Sequence, residues 1–296
     1  VQIRAGGGHT QMVVGGDHRR PDVEGGALLM GGPFLFHVQQ RHQRFQAILH
    51  RQGRHAHALG ATGEALKIGA GTEEVEAAQR ARFADLLAQN DEVVGWVTVP
   101  GTNIDYPVLQ TDNNQFYLRH DLDKQYNVRG LPFLDYECDA KNGRHLIIYG
   151  HNMGDDETDR FTNLQEYRDP DYYASHPTIQ LDTLFESQVY KIVAVFAVTA
   201  RTSDPDYFAY NTYINFESDE EEQAYLDEVA QRAFYTTGDY VQPNEKLLSL
   251  STCIYTMPDA RIVVMARPLR EGESTEADAV NLNSDPLLPA RWPQGA

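Results

Sequence analysis

Apolar positions in this chain follow two periods, and both begin after residue 71. Val75, Ala78, Phe83, Leu86 and Leu87 recur at helical spacing as far as Gln89-Asn90. That stripe predicts a helix capped by Thr72, with Glu73 and Glu74 in its first turn, where acids suit the helix dipole. After Asn90 the period changes to two. Val94–Val99 reads as a strand, Pro100-Gly101 as a turn and Ile104–Leu109 as a second strand. Further strands are expected at Gly130–Leu134, His145–Tyr149, Thr178–Leu181, Val189–Thr199, Lys246–Ser251 and Arg261–Arg267.

Only one strong helix interrupts the second half. Ser218-Asp219-Glu220-Glu221 fits a capping box, in which the Glu side chain returns to the cap N–H. Tyr225, Leu226, Val229, Ala230, Ala233 and Phe234 then share one face at helical spacing. About eight short strands with so few helices predict a mainly β fold. The expected form is a closed or nearly closed barrel, with an N-terminal helix and one extra helix late in the chain. Residues 271–296 are polar and proline-containing, which predicts an extended, weakly ordered tail.

Composition breaks near Thr72. Residues 1–72 carry eight Lys/Arg against four acids, so the remainder holds −22 and the whole chain −18. Gly-Gly pairs interrupt each apolar stretch in this segment, and it reads as disordered, or as something other than the natural N-terminus. Its best membrane candidate, Ala27–Phe36, is ten residues with two glycines and a proline, far short of the roughly 20 apolar residues a bilayer core needs. The expected organisation is therefore 1–71 outside the fold, 72–270 as the catalytic domain and 271–296 as the tail. The acidic balance argues against nucleic-acid partners, since a phosphate backbone selects basic faces. Cys138 and Cys253 are too few for a disulfide framework.

Cys253 closes the run Leu248-Ser249-Leu250-Ser251-Thr252-Cys253, and Arg261 opens the next apolar run after a short turn. On adjacent antiparallel strands the two would share one end. His151 follows the strand His145–Tyr149 and a glycine, at a sheet edge where catalytic groups tend to lie. A thiol, an imidazole and a guanidinium at strand mouths are the parts of a cysteine acyl-transfer site: nucleophile, proton carrier and oxyanion donor. Ser251 and Thr252 make the strand end polar and are candidates for substrate contact. Each of the three has a plainer reading, as a core thiol, a solvated loop histidine and a surface charge. His120, His145 and His176 take the plainer reading. The acids Asp155-Asp156-Glu157 and Asp219–Glu222 lack the ligand spacing of a calcium loop, and no metal or other cofactor is expected.

The run LSTCIY followed by DARIVVMAR resembles the active-site strand pair of the sortases, the cysteine transpeptidases of Gram-positive bacteria. IIYGHNMGDDETDRFTNLQEYRDPDYYASHPTIQLDT and NDEVVGWVTVPGTNIDYPVLQTDNNQFYLRHD are similar to the histidine region and opening strands of the class B branch. By that resemblance the Cys, His and Arg of the family fall on Cys253, His151 and Arg261. The resemblance implies cleavage of a C-terminal sorting signal on secreted proteins, a thioacyl enzyme, and transfer to a peptidoglycan amine at the outer face of the cell membrane. Some class B members carry an acid directly after the cysteine; this chain has Ile254, so no role for an acid carries over. Sortases usually carry an N-terminal membrane anchor, which residues 1–71 do not supply, and the natural product is expected to carry one there. Two other readings use the same residues: a hydrolytic cysteine peptidase, and a non-enzymatic cell-surface β-domain with Cys253 in its core.

Overall fold

The structure is a computed structural model and describes residues 72–154, 157–238 and 240–293. The expectation for residues 1–71 lies outside the described residues. The opening helical stripe is two helices, α1 (Thr72–Arg82) and α2 (Ala84–Gln89), broken at Phe83, whose side chain is buried. Asn90 ends α2 by donating its buried amide to the Tyr117 hydroxyl and the Leu122 carbonyl.

Ten strands follow: β1 (Val93–Thr98), β2 (Asp105–Leu109), β3 (Phe133–Leu134), β4 (His145–Tyr149) and β5 (Thr178–Thr183), then β6 (Ser187–Thr199), β7 (Ala233–Thr237), β8 (Leu247–Cys253), β9 (Ala260–Pro268) and β10 (Val280–Leu282). Two further helices, α3 (Pro170–Ser175) and α4 (Asp219–Arg232), interrupt them. The sheet order is β10-β7-β6-β5-β1-β2-β3-β4-β8-β9, and β6 also pairs with β9 from Tyr190↔Pro268 to Thr199↔Ala260. That second pairing closes eight strands into a barrel, as the sequence predicts, and closure removes the unpaired edges.

The extra two strands hang from β6. Its 13 residues give one edge to β9, so β5 (at Ser187–Lys191) and β7 (at Ala194–Phe196) must share the other edge in succession. A bulge between Ile192 and Ala194 marks the changeover, as extra residues do where a strand must bend.

Three sequence expectations need correction. Gly130–Leu134 is a strand only at its last two residues, because Gly130 sits at φ +53° in a turn whose backbone already bonds to Asn127. Ala233 and Phe234 are not on the face of α4; the chain becomes extended at Ala233 and opens β7, where Ala233 pairs with Phe196. No glycine or proline marks that change, so the helical stripe runs through it unbroken. Glu221 reaches back to the N–H of Glu217 instead of Ser218, although Ser218 caps α4 as expected by accepting from the Glu221 N–H. The tail is extended, and it is also tied down. Val280–Leu282 pair with β7, the buried ammonium of Lys191 meets Asp278 at 2.6 Å, and Trp292 packs beside Phe234. Among the described residues no helix is long and apolar enough to cross a membrane.

Candidate active site

The site is built where β4, β8 and β9 run side by side. β8 pairs in parallel with β4, from His145↔Leu247 to Tyr149↔Ser251, and antiparallel with β9, ending at Cys253↔Arg261. Residues directly opposite in an antiparallel pair project from the same face, about 5 Å apart. Cys253 and Arg261 are therefore neighbours on one face at the end of the ladder, as the sequence predicts.

Period-two alternation puts Ser249, Ser251 and Cys253 on that face of β8. The first two are covered. Ser249 Oγ is 2.8 Å from His145 Nε2, and Ser251 Oγ is 2.7 Å from the Tyr210 hydroxyl. One step beyond this cover Cys253 is partly exposed, its thiol free, while Arg261 stays almost buried and donates from Nη1 to the Ala260 carbonyl. Thr252 points to the opposite face and donates its hydroxyl to the Gly150 carbonyl at 2.7 Å. Both Ser251 and Thr252 are buried with their hydroxyls engaged inside the protein. The sequence-based assignment of these two side chains to substrate contact is thus corrected: they fasten strands.

His151 is held by the same fastening. On one side of it Gly150 donates its N–H to the Ser251 carbonyl, and on the other Asn152 donates its side-chain amide to the Cys253 carbonyl at 3.0 Å. The Tyr255 hydroxyl donates to the Asn152 carbonyl, and Phe161 donates its N–H to the His151 carbonyl. Gly150 has no alternative, since a Cβ there would lie 2.6 Å from the buried Phe161 ring. The histidine is thereby fixed relative to the cysteine by bonds to β8 carbonyls on both flanks, one from the Gly150 main chain and one from the Asn152 side chain.

Its ring is oriented from a third direction. Nε2 lies 2.8 Å from the Leu118 carbonyl. A carbonyl only accepts, so Nε2 carries the hydrogen and Nδ1 holds the lone pair of the neutral ring. Arg119 Nη1 lies 3.4 Å from the same Nε2. Two donors face each other there, so this is a close approach of charge and not a hydrogen bond. Burial pulls the His151 pKa below its usual value; the Leu118 carbonyl opposes this, and the guanidiniums of Arg119, Arg160 and Arg261 add to the depression. The net shift favours the neutral form of the ring.

Sequence reading missed Asn152, Tyr210, Arg119 and the Leu118 carbonyl. Asn152 was visible as the neighbour of His151, but Arg119 comes from a loop 32 residues upstream with no periodic mark. The other candidates fall elsewhere. His120 stacks on Phe116, and His176 bonds the Tyr172 carbonyl. His145 is wholly buried between Tyr213 O and Ser249. Cys138 is a buried thiol donating to the His145 carbonyl, with its pKa pushed far up by burial. Glu157, the described member of its acid cluster, pairs with Arg129. Among the described residues no group of three or more His, Cys, Asp or Glu is placed to hold a metal ion.

His145 gives a stability prediction. Burial lowers its pKa from the usual 6.5 to about 4. Above pH 6.5 both folded and unfolded states are neutral there; as pH falls from 6.5 towards 4 only the unfolded chain takes the proton, so the fold is weakened by about 3 kcal/mol across that window. Urea unfolding at pH 7 and pH 4.5 should show this loss, and His145→Gln should remove most of it. An unchanged difference would assign the acid sensitivity to other groups.

Residues 97–269 match the family model for the sortase domain. The chain is 33% identical over 185 residues to sortase B of Listeria monocytogenes, spanning 62% of this chain and 72% of that protein. It is 30% identical over 196 residues to sortase B of Staphylococcus aureus, spanning 64% and 76%. Its fold is similar to the crystal structure of Clostridium perfringens sortase B, with TM-score 0.57, 26% identity, 63% of this chain and 99% of that chain. It is likewise similar to a Staphylococcus aureus sortase B–substrate complex, with TM-score 0.57, 27% identity, 72% of this chain and 96% of that one.

Proposed function

We infer the chemistry of this site from one premise: the chain belongs to the sortase family, as a class B cysteine transpeptidase. It cleaves a sorting signal through a thioacyl enzyme and passes the acyl group to an amine. We propose that Cys253, His151 and Arg261 carry this reaction. The carrying observation is that Arg261 stands opposite Cys253 at the end of β8–β9, while His151 is pinned to the β8 end by bonds on both of its flanks.

In the proposed sequence the neutral His151 takes the thiol proton at Nδ1, and the Cys253 thiolate attacks the scissile carbonyl. Arg261 donates to the oxyanion that forms, where a guanidinium in a partly desolvated site acts strongly. Burial, with three nearby guanidiniums, makes the His151 imidazolium more acidic than usual, so its proton passes to the departing amine and the C–N bond breaks. A thioester to Cys253 remains. An incoming amine gives its proton to His151 as it attacks, the second oxyanion collapses, and the thiolate leaves and is reprotonated. The partners we propose are secreted proteins bearing a C-terminal sorting signal and an amine of peptidoglycan, at the outer face of the membrane. No cofactor enters this sequence. Asn152, Thr252 and Ser251 act as positioning residues.

The reading is tested by incubating the protein with C-terminal peptides of secreted proteins encoded beside it, with and without an added amine. Amine-dependent formation of a new amide supports transfer; release to water alone, unaffected by amine, refutes it. Arg261→Lys should lower kcat/KM about 100- to 1,000-fold, because a point charge cannot reproduce the planar fork of donors. Turnover near that of the unsubstituted chain would remove the oxyanion role.

A further inference from the structure

Arg261 reaches its place through the turn of residues 254–259, which joins it to the nucleophile. One oxygen couples the two ends of that turn. The Ala260 carbonyl accepts from the N–H of Ile254, next to Cys253, and from Arg261 Nη1 at 3.0 Å. The direction of that carbonyl follows from Asp259, the residue before it, which sits at φ +64°. A residue with a Cβ keeps this left-handed conformation when its surroundings hold it there. Three arginines from separate parts of the chain supply the hold. Arg168, at the end of the segment Thr162–Arg168, donates from Nη1 to Thr256 Oγ1 at 3.2 Å. Arg201, two residues past β6, donates from Nε and Nη2 to the Asp259 carboxylate, and the N–H of Ala200 donates to the Asp259 carbonyl. Arg291 comes from the tail and donates from Nη2 to the Pro258 carbonyl at 3.4 Å.

Arg291 does more than touch the turn. Its Nε and Nη2 also donate to Asp204 Oδ2, at 3.2 and 2.9 Å, and Thr199 Oγ1 donates to the same oxygen at 2.8 Å. One guanidinium thus spans the segment after β6 and the turn before β9. The tail around it is anchored step by step. Leu287 donates its N–H to the Gln231 carbonyl, Ala290 donates its N–H to Asp206 Oδ2 at 2.7 Å, and Trp292 is buried beside Phe234. The Arg291 side chain is 36% exposed, and ion pairs at such sites add little to global stability. Its value lies in geometry. The Pro258 carbonyl belongs to the peptide plane directly before the left-handed Asp259, so Arg291 fixes one side of the rotation on which the Ala260 carbonyl depends. We propose that Arg291 is a positioning residue for the oxyanion donor. It clamps the turn of residues 254–259 to the segment after β6, so that Arg261 keeps its place opposite Cys253. This rests on the reading of Arg261 given above.

The test is the kinetics of cleavage of the peptide that gives turnover in the assay above, for Arg291→Ala alone and combined with Arg261→Lys. The oxyanion is stabilised only once it forms, so a misplaced donor lowers kcat and leaves KM near its original value. Arg291→Ala should lower kcat about tenfold, a fraction of the roughly 100- to 1,000-fold that losing a donor costs. The melting temperature should stay unchanged, as should the rate of Cys253 alkylation, in which no oxyanion forms. In the Arg261→Lys background the same change should cost less than about twofold, since a guanidinium that is gone can no longer be misplaced. Arg291→Lys should recover part of the loss, because an ammonium can pair with Asp204 but lacks the planar fork that spans to Pro258. An unchanged kcat, a loss in KM alone or equal losses in both backgrounds overturns the proposal. So does a melting temperature that falls far enough to account for the lost activity. Full turnover in Arg261→Lys would remove the oxyanion role and this proposal with it. Cleavage without amine-dependent product is a different failure, which counts against transfer alone and leaves this test in force.

Discussion

Cys253→Ala should abolish both peptide cleavage and amide formation, by at least about 10,000-fold, because no other group at the site can form the thioester. The fold should survive. Cys253 is the last residue of β8 and partly exposed, so the change deletes one sulfur at a rim and leaves the β8–β9 ladder intact. Circular dichroism and the melting temperature should match those of the unsubstituted chain. Cys138→Ala is the matched comparison. Its thiol is buried and held in the protonated form, so that variant should keep its turnover, with a modest loss of stability from the small cavity. A thiol-alkylating reagent should likewise label Cys253 alone in the folded protein and stop turnover as it does so. An active Cys253 variant beside a dead Cys138 variant would overturn the assignment.

His151→Ala should lose about 100- to 10,000-fold in each half-reaction, the usual worth of a positioned proton carrier. Each half-reaction has its own measurement: the burst of amine released when peptide is mixed with excess enzyme, and the partition of the thioacyl enzyme between water and added amine. Both should fall. A defect confined to the second would reduce His151 to a base for the acceptor and leave the first proton to some other group. His151→Gln is a useful companion because its amide can still donate to the Leu118 carbonyl but cannot carry a proton. If Gln restores turnover, the role of position 151 is structural and proton transfer is not.

Much of this site was legible in the sequence because its parts are local to strands with a clear period. Cys253 and Arg261 stand on two apolar runs joined by a short turn, and such runs pair as hairpin neighbours. His151 closes an apolar run with a glycine. The barrel followed from the same period-two segments. What was not legible belongs to pairings between distant segments. Nothing local says that β8 lies beside β4 in parallel, so the bonds from Thr252 to Gly150 and from Asn152 to Cys253 could not be foreseen. The misassignment of Ser251 and Thr252 has the same origin: polar residues at a strand end look available until Tyr210 and Gly150 are found against them. Arg119 was invisible for the same reason, since it comes from a loop 32 residues upstream and meets the His151 ring only in the folded chain. Ala233-Phe234 passed for helix because their alternation emerges only when Phe196 is known to lie opposite.

The parallel pairing of β8 with β4 joins residues about a hundred positions apart, and that of β6 with β9 residues about seventy apart, which makes the reactive centre a late product of folding. Contacts of such long range form slowly, on the order of milliseconds to seconds, after most local structure. Until β8 docks, the Cys253 thiol has neither His151 nor the cover over Ser251 beside it, and it has the sluggish reactivity of a cysteine in a loose peptide. The catalytic arrangement is thus absent while the chain is still open, and barrel closure is the step that brings thiol, imidazole and guanidinium together.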